Sequence, residues 1–107
     1  MNVLFVCSRN QWRSPTGERV WRGKAGLVTR SAGASQCAKR KVAAADVHWA
    51  DIIMVMEYKH KKKLVTAFSA LLENKPLYVL DIPDEYKYMD KELVEHFENV
   101  VPDLLHL

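Results

Sequence analysis

Cys7 stands six positions ahead of Arg13, with Ser14 and Pro15 directly behind, in the stretch VLFVCSRNQWRSPTGE over residues 3–18. A thiol, a guanidinium and a hydroxyl at this spacing suit attack on a phosphate. A turn leading from a strand end into a helix presents successive backbone N–H groups, and the helix adds partial positive charge at the same end. Such a turn holds an anion before any side chain is counted. Arg13 adds a planar fork matched to two phosphate oxygens. The same field favours the thiolate form of a cysteine at its centre. Ser14 is placed to donate its hydroxyl to that sulfur when the sulfur leaves in a second step. Ser8, Arg9, Asn10, Gln11 and Trp12 complete the expected phosphate-binding loop. The competing reading makes Cys7 a small core residue at a strand end.

Holding these groups requires a strand before Cys7 and a helix after Arg13. Residues 2–6 are continuously apolar after the first, which suits a strand buried on both faces of a parallel sheet. Ser14 offers a capping oxygen and Pro15 a tolerated first-turn proline, so a helix is expected to about Lys24, with Gly26 just past its end. Residues 27–31 read as a second strand followed by the turn-like Ala32-Gly33-Ala34, and the alanine-rich residues 39–45 as a helix. Residues 52–56 give a third strand. Leu64, Val65, Phe68, Leu71 and Leu72 keep helical spacing, which predicts an amphipathic helix over 58–72 with its lysines outward. Residues 76–80 give a fourth strand, and Leu93, Phe97, Val100 and Leu104 mark a last helix that Pro102 should kink or restart. Alternating strands and helices imply an α/β fold, a four-stranded parallel open sheet with flanking helices. Ligands in such sheets bind beyond the carboxyl ends of the strands, where Cys7 lies.

The 107 residues suit one domain, 49% apolar and 27% charged, as in ordinary globular chains. No apolar run approaches the roughly 20 residues of a spanning helix, and no basic leader precedes the first strand, so a cytoplasmic protein with no membrane partner is expected. Cys7 and Cys37 match no metal or disulfide framework and read as reduced thiols. His48, His60, His96 and His106 show no metal-ligand spacing and read as surface residues or local hydrogen-bond donors. No glycine-rich nucleotide loop is present, so neither metal nor cofactor is expected. The net charge of +3 is distributed unevenly, with Lys39, Arg40 and Lys41 in one cluster and Lys59, Lys61, Lys62 and Lys63 in another. Each cluster reads first as a solvated face.

With Asn10, then Arg13-Ser14-Pro15 and Glu18, the stretch resembles the phosphate loop of the low-molecular-weight protein tyrosine phosphatases. TRSAGAS at 29–35 resembles a segment flanking that loop, and ADIIMVMEYKHKKKL at 50–64 the third strand and following helix. DIPDEYKY at 81–88 resembles the family's Asp-Pro-Tyr-Tyr acid loop, in a chain shorter than the usual member. The resemblance implies a flavodoxin-like fold and phosphomonoester hydrolysis through a cysteinyl-phosphate on Cys7. It implies a general acid on the 81–88 loop, where Asp84 is favoured because Asp84-Glu85-Tyr86 fits Asp-x-Tyr; Asp81 is the alternative. Tyr86 and Trp12 are the expected flanks of the substrate. Two departures stand out: Arg9 replaces a glycine and Trp12 a second cysteine, which leaves no disulfide partner within the loop.

The surplus of arginine and lysine favours an anionic substrate, a phosphorylated protein first and a nucleotide or RNA phosphate second. A phosphate-binding module without turnover is the non-enzymatic alternative. Sugar-transport phosphoryl carriers lack the arginine, and arsenate reductases need further cysteines, so both rank lower. Composition fixes no oligomeric state.

Overall fold

The computed structural model describes residues 1–107 and runs β1 (Asn2–Cys7), α1 (Arg13–Trp21), β2 (Val28–Gly33), α2 (Ala44–Trp49), β3 (Ile52–Val55), α3 (Tyr58–Leu72), β4 (Leu77–Val79) and α4 (Lys91–Leu105). The strands form one parallel sheet in the order β2-β1-β3-β4. β1 is central because it is apolar on both faces. Alternate side chains of a strand point to opposite faces: Val3, Phe5 and Cys7 enter one core with Met54, Leu93, Phe97 and Val101. Leu4 and Val6 enter the other with Ile53, Val55, Val47 and Leu64. Phe97 of α4 meets Phe5 edge-on at 5.5 Å between ring centroids. The central strand is thereby clamped between two helical layers, and its end is a rigid mount for Cys7.

Five sequence expectations are corrected. α1 begins at Arg13, and the hydroxyl of the buried Ser14 caps no backbone amide; it turns instead toward Cys7. α1 also stops at Trp21, short of Lys24, and the chain reverses through Gly23, Ala25 and Gly26, all at positive φ. Residues 39–43 are not helical. Gly33 donates its N–H to the Arg40 carbonyl and accepts from Val42, which draws the alanine-rich segment out alongside the end of β2. Pairing with β2 overrides helix propensity there. The same pairing makes Gly33 the last residue of β2 and not part of a turn. Finally, Pro102 lies inside a continuous α4, whose buried stripe Leu93, Phe97 and Val101 outweighs one lost helix hydrogen bond.

A buried carboxylate secures the segment that follows β2. Asp46 accepts from Arg40 at 2.5 Å and from the Ala43 N–H at 3.0 Å, with Arg30 at 3.5 Å. Arg40 also donates to the Ser31 carbonyl. The segment in turn braces the cysteine loop: Ala34, Ser35 and Lys39 donate N–H groups to the carbonyls of Cys7, Ser8 and Arg9 at 2.8, 2.9 and 3.0 Å. This close approach leaves no room at Gly33. A Cβ there would lie 2.4 Å from the Ala38 Cβ and 2.7 Å from the Ser8 carbonyl oxygen, both parts of the brace.

Gly33→Ala should therefore destabilise the fold by about 1–3 kcal/mol, the usual cost of overpacking. A thermal melt checks this, with a fall of roughly 4–8 °C expected for each kcal/mol.

Candidate active site

The loop from Ser8 to Trp12 has its carbonyls tied outward and its amides left over. No backbone N–H from Ser8 through Ser14 donates to another group of the chain, while the carbonyls of Cys7, Ser8 and Arg9 are bonded to the 34–39 brace. These donors are available to an anion. Asn10 makes the turn possible at φ 55°, in the left-handed region that asparagine tolerates better than most residues.

The Asn10 side chain faces inward and opens a chain of hydrogen bonds. It donates to Ser31 Oγ at 2.9 Å and to Ser14 Oγ at 3.1 Å, and Ser31 donates to Glu18 at 2.5 Å. Ser14 Oγ lies 3.0 Å from Cys7 Sγ and 3.3 Å from the Ala32 carbonyl. With one lone pair engaged by Asn10, the Ser14 hydroxyl has its proton to give, to the Ala32 carbonyl or to the Cys7 sulfur. Cys7 itself is buried at the head of β1.

Arg13 is only 2% exposed, yet charged. Its NH1 group donates to Glu57 Oε2 at 2.6 Å and to the Ile82 carbonyl at 2.8 Å, while Nε stands 3.6 Å from Asp84 Oδ1. NH2 has no acceptor in the chain, and no buried side-chain polar atom lacks a partner. The unused edge of the fork therefore opens to solvent at the cleft. Burial raises the Glu57 carboxyl, but the hydrogen bond and charge of Arg13, with Lys59 and His60, outweigh it and hold the group below its ordinary range.

A cleft of about 170 Å³ is lined by Cys7, Ser8, Arg9, Gln11, Trp12, Arg13 and Asp84. Asp84 is exposed and held on a loop pinned at both ends. Before it, the buried Ile82 donates its N–H to the Met56 carbonyl at 2.9 Å; after it, the Met89 N–H donates to Thr16 Oγ1 at 2.9 Å. Asp81, at φ 55° where the chain leaves β4, lines a neighbouring depression with Glu57, Tyr58, Lys59 and Pro83. Tyr86 departs from the expected position: it is not in the cleft lining but packs toward α4, its ring 5.9 Å from His96. The apolar cluster around Phe97 draws it there.

Of the two places expected for His60, the surface one is corrected, since the side chain is buried, and the hydrogen-bonding one holds. Its Nδ1 accepts the Glu57 N–H at 3.0 Å, so Nε2 carries the hydrogen and donates to Ser8 Oγ at 2.8 Å. The Ser8 hydroxyl proton is then free for the cleft. Burial, reinforced by the positive charge of Arg13, lowers the His60 pKa to about 4. Sequence reasoning also passed over Glu57, although Glu57 and His60 stand at the spacing of a helix N-cap and its third residue.

No family model and no curated protein matches the chain. Solved structures do match. The low-molecular-weight protein tyrosine phosphatase from T. tengcongensis superposes with a TM-score of 0.81 at 20% identity, over 99% of this chain and 98% of that one. The chain has the low-molecular-weight protein tyrosine phosphatase fold. YwlE arginine phosphatase from Geobacillus stearothermophilus matches with a TM-score of 0.76 at 20% identity, over 98% and 93% of the two chains. A cysteine-to-serine mutant of YwlE, described with a phosphorylated active site serine, matches with a TM-score of 0.75 at 18% identity, over 98% and 96%. On this phosphatase fold the turn after β1 carries Cys7. No helix of the chain is long and apolar enough to cross a membrane.

The burial of His60 sets a pH signature. Below about 6.5 the unfolded chain binds a proton that native His60 refuses until about pH 4, so stability falls as pH drops through that window. Urea titrations should show His60→Gln losing about 2–3 kcal/mol less than wild type between pH ~7 and pH ~4.5. Parallel curves for the two proteins would contradict this.

Proposed function

We propose that the protein is a cysteine-dependent phosphomonoester hydrolase of the protein tyrosine phosphatase type. The observation that carries the reading is a single cleft lined by a thiol, a guanidinium and a carboxylic acid, with unpartnered amides behind them. The phosphorylated serine of the YwlE mutant supports a nucleophile that takes up phosphate on this fold.

In the first step the Cys7 thiolate attacks phosphorus; the S–P bond forms as the bond to the leaving oxygen breaks. Asp84 delivers its proton to that oxygen. The loop amides and the free edge of Arg13 hold the equatorial oxygens as charge spreads. In the second step water attacks the cysteinyl-phosphate and gives a proton to the Asp84 carboxylate. The S–P bond breaks, and Ser14 donates its hydrogen bond to the departing thiolate, leaving inorganic phosphate. Asp84 is preferred over Asp81 as the acid because it shares the cleft with Cys7. Ser8, Arg9, Gln11 and Trp12 form the walls and mouth of the site, and Asn10 supports Ser14 from behind.

The substrate is a phosphorylated protein in this reading. A nucleotide or RNA phosphate is less favoured because two tryptophans are engaged elsewhere: Trp49 lies under Arg30 at 4.2 Å and Trp21 donates to the Phe97 carbonyl at 3.0 Å. Only Trp12 faces the cleft for stacking. A binding module without turnover would have no use for an acid in the cleft, and Asp84 stands there.

Hydrolysis of p-nitrophenyl phosphate and phenyl phosphate tests the assignment. Cys7→Ser should reduce both to background. Asp84→Ala should lower kcat on phenyl phosphate by about 10²–10⁴-fold, the usual contribution of a general acid, and less on p-nitrophenyl phosphate, whose leaving group needs little protonation. Asp81→Ala should leave both within about threefold, since it removes no group from the cleft. Wild-type protein that binds phosphate without Cys7-dependent turnover would favour the binding module.

A further inference from the structure

A second and larger concavity lies beside the cysteine loop. The groove, about 780 Å³, runs between residues 34–44 and α3, and Ala34 at its edge is the residue whose N–H holds the Cys7 carbonyl. Its apolar lining includes Val42, Leu64, Ala67 and Phe68, and its charged lining is Lys41, Lys59, Lys62 and Lys63 with no aspartate or glutamate. Lys59 pairs with Glu57 at 3.7 Å, whereas Lys41, Lys62 and Lys63 make no ion pair. On α3, Lys59, Lys62, Lys63, Thr66 and Ala67 fall at i, i+3, i+4, i+7 and i+8, so one helical stripe forms this wall. A solvated lysine face explains the charges but not the apolar recess between them.

We propose that the groove docks an acidic amphipathic segment of a phosphorylated protein, with apolar side chains in the recess and carboxylates on the lysines. The word substrate attaches to that segment only through the phosphatase reading above; the docking chemistry does not depend on it. Charge complementarity selects the occupant: unpaired cations flank the recess, and anions elsewhere on the chain do not neutralise them. Nucleic acid fits less well, because the lining offers a single aromatic, Phe68, for stacking and only Gln36 and Thr66 as neutral polar side chains. A bilayer is met by protruding apolar residues, and these are recessed.

The test uses a fluorescent, unphosphorylated helical peptide with leucines on one stripe and glutamates elsewhere, titrated against the whole protein. A version with every glutamate replaced by lysine is the control. The proposal expects the acidic peptide to bind at least about tenfold more tightly than the control, increasingly so at low salt. The triple variant Lys41→Glu, Lys62→Glu, Lys63→Glu should weaken binding by about tenfold or more. Ala67→Trp, which fills the recess without changing charge, should weaken it too. Both variants should keep p-nitrophenyl phosphate turnover within about twofold, since neither alters the cleft. Equal affinity for the two peptides, or binding indifferent to both variants, would overturn the proposal. So would single-stranded RNA or phosphatidylglycerol vesicles binding more tightly than the acidic peptide through the same three lysines. Peptide binding as expected from a protein with no Cys7-dependent turnover would uphold docking and defeat the phosphatase reading instead.

Discussion

The buried guanidinium of Arg13 is the constraint on which the rest of the site depends. Taking a cation out of water is costly unless it is paired and hydrogen-bonded. Here the pairing draws on three parts of the chain: the start of α1 supplies the arginine, the end of β3 leads to Glu57, and the loop after β4 supplies the Ile82 carbonyl. Satisfying one side chain therefore fixes where the strand ends lie relative to one another. It also divides the guanidinium by function. NH1 belongs to the fold, Nε faces Asp84, and NH2 is left open at the cleft.

Around that arginine the loop is assembled from two opposed requirements. Its carbonyls must find donors, and the 34–39 segment provides them; its amides must stay free, and the left-handed turn at Asn10 turns the backbone so that they do. The side chains behind the loop run in an ordered sequence of donors from Asn10 through Ser14 toward Cys7, and His60 performs the equivalent service for Ser8. Neutral His60 is suited to this, because the proton it gives to Ser8 is fixed by the amide that occupies its other nitrogen.

The parts legible in the sequence were those governed by neighbouring residues. The strand before Cys7, the helix after it and the spacing to Arg13 and Ser14 are local, and the order of strands and helices follows from apolar runs and periodicity. Glu57 and His60 were hidden because their partners lie 44 and 52 positions away. No pattern in a single sequence marks such a pair. The alanine-rich segment misled for the complementary reason: its composition favours a helix, but hydrogen bonds to Gly33 extend it. Pro102 misled because a breaker is judged locally, whereas α4 is held by an apolar stripe along its whole length. The lysines of α3 looked like ordinary solvated charge until the fold set Val42 and Phe68 between them.

The loop carrying Asp84 is fastened at Ile82 and at Met89, and nowhere between them does its backbone reach the sheet. Its anchors are a buried apolar side chain and main-chain hydrogen bonds, so the fastening is indifferent to most side chains in the interval. Apart from Asp84, which lines the cleft, and Tyr86, which packs toward α4, the side chains of residues 83–88 thus form an exchangeable insert: they can differ in charge and bulk, altering the mouth of the cleft, while the sheet and the cysteine loop beneath them stay unchanged.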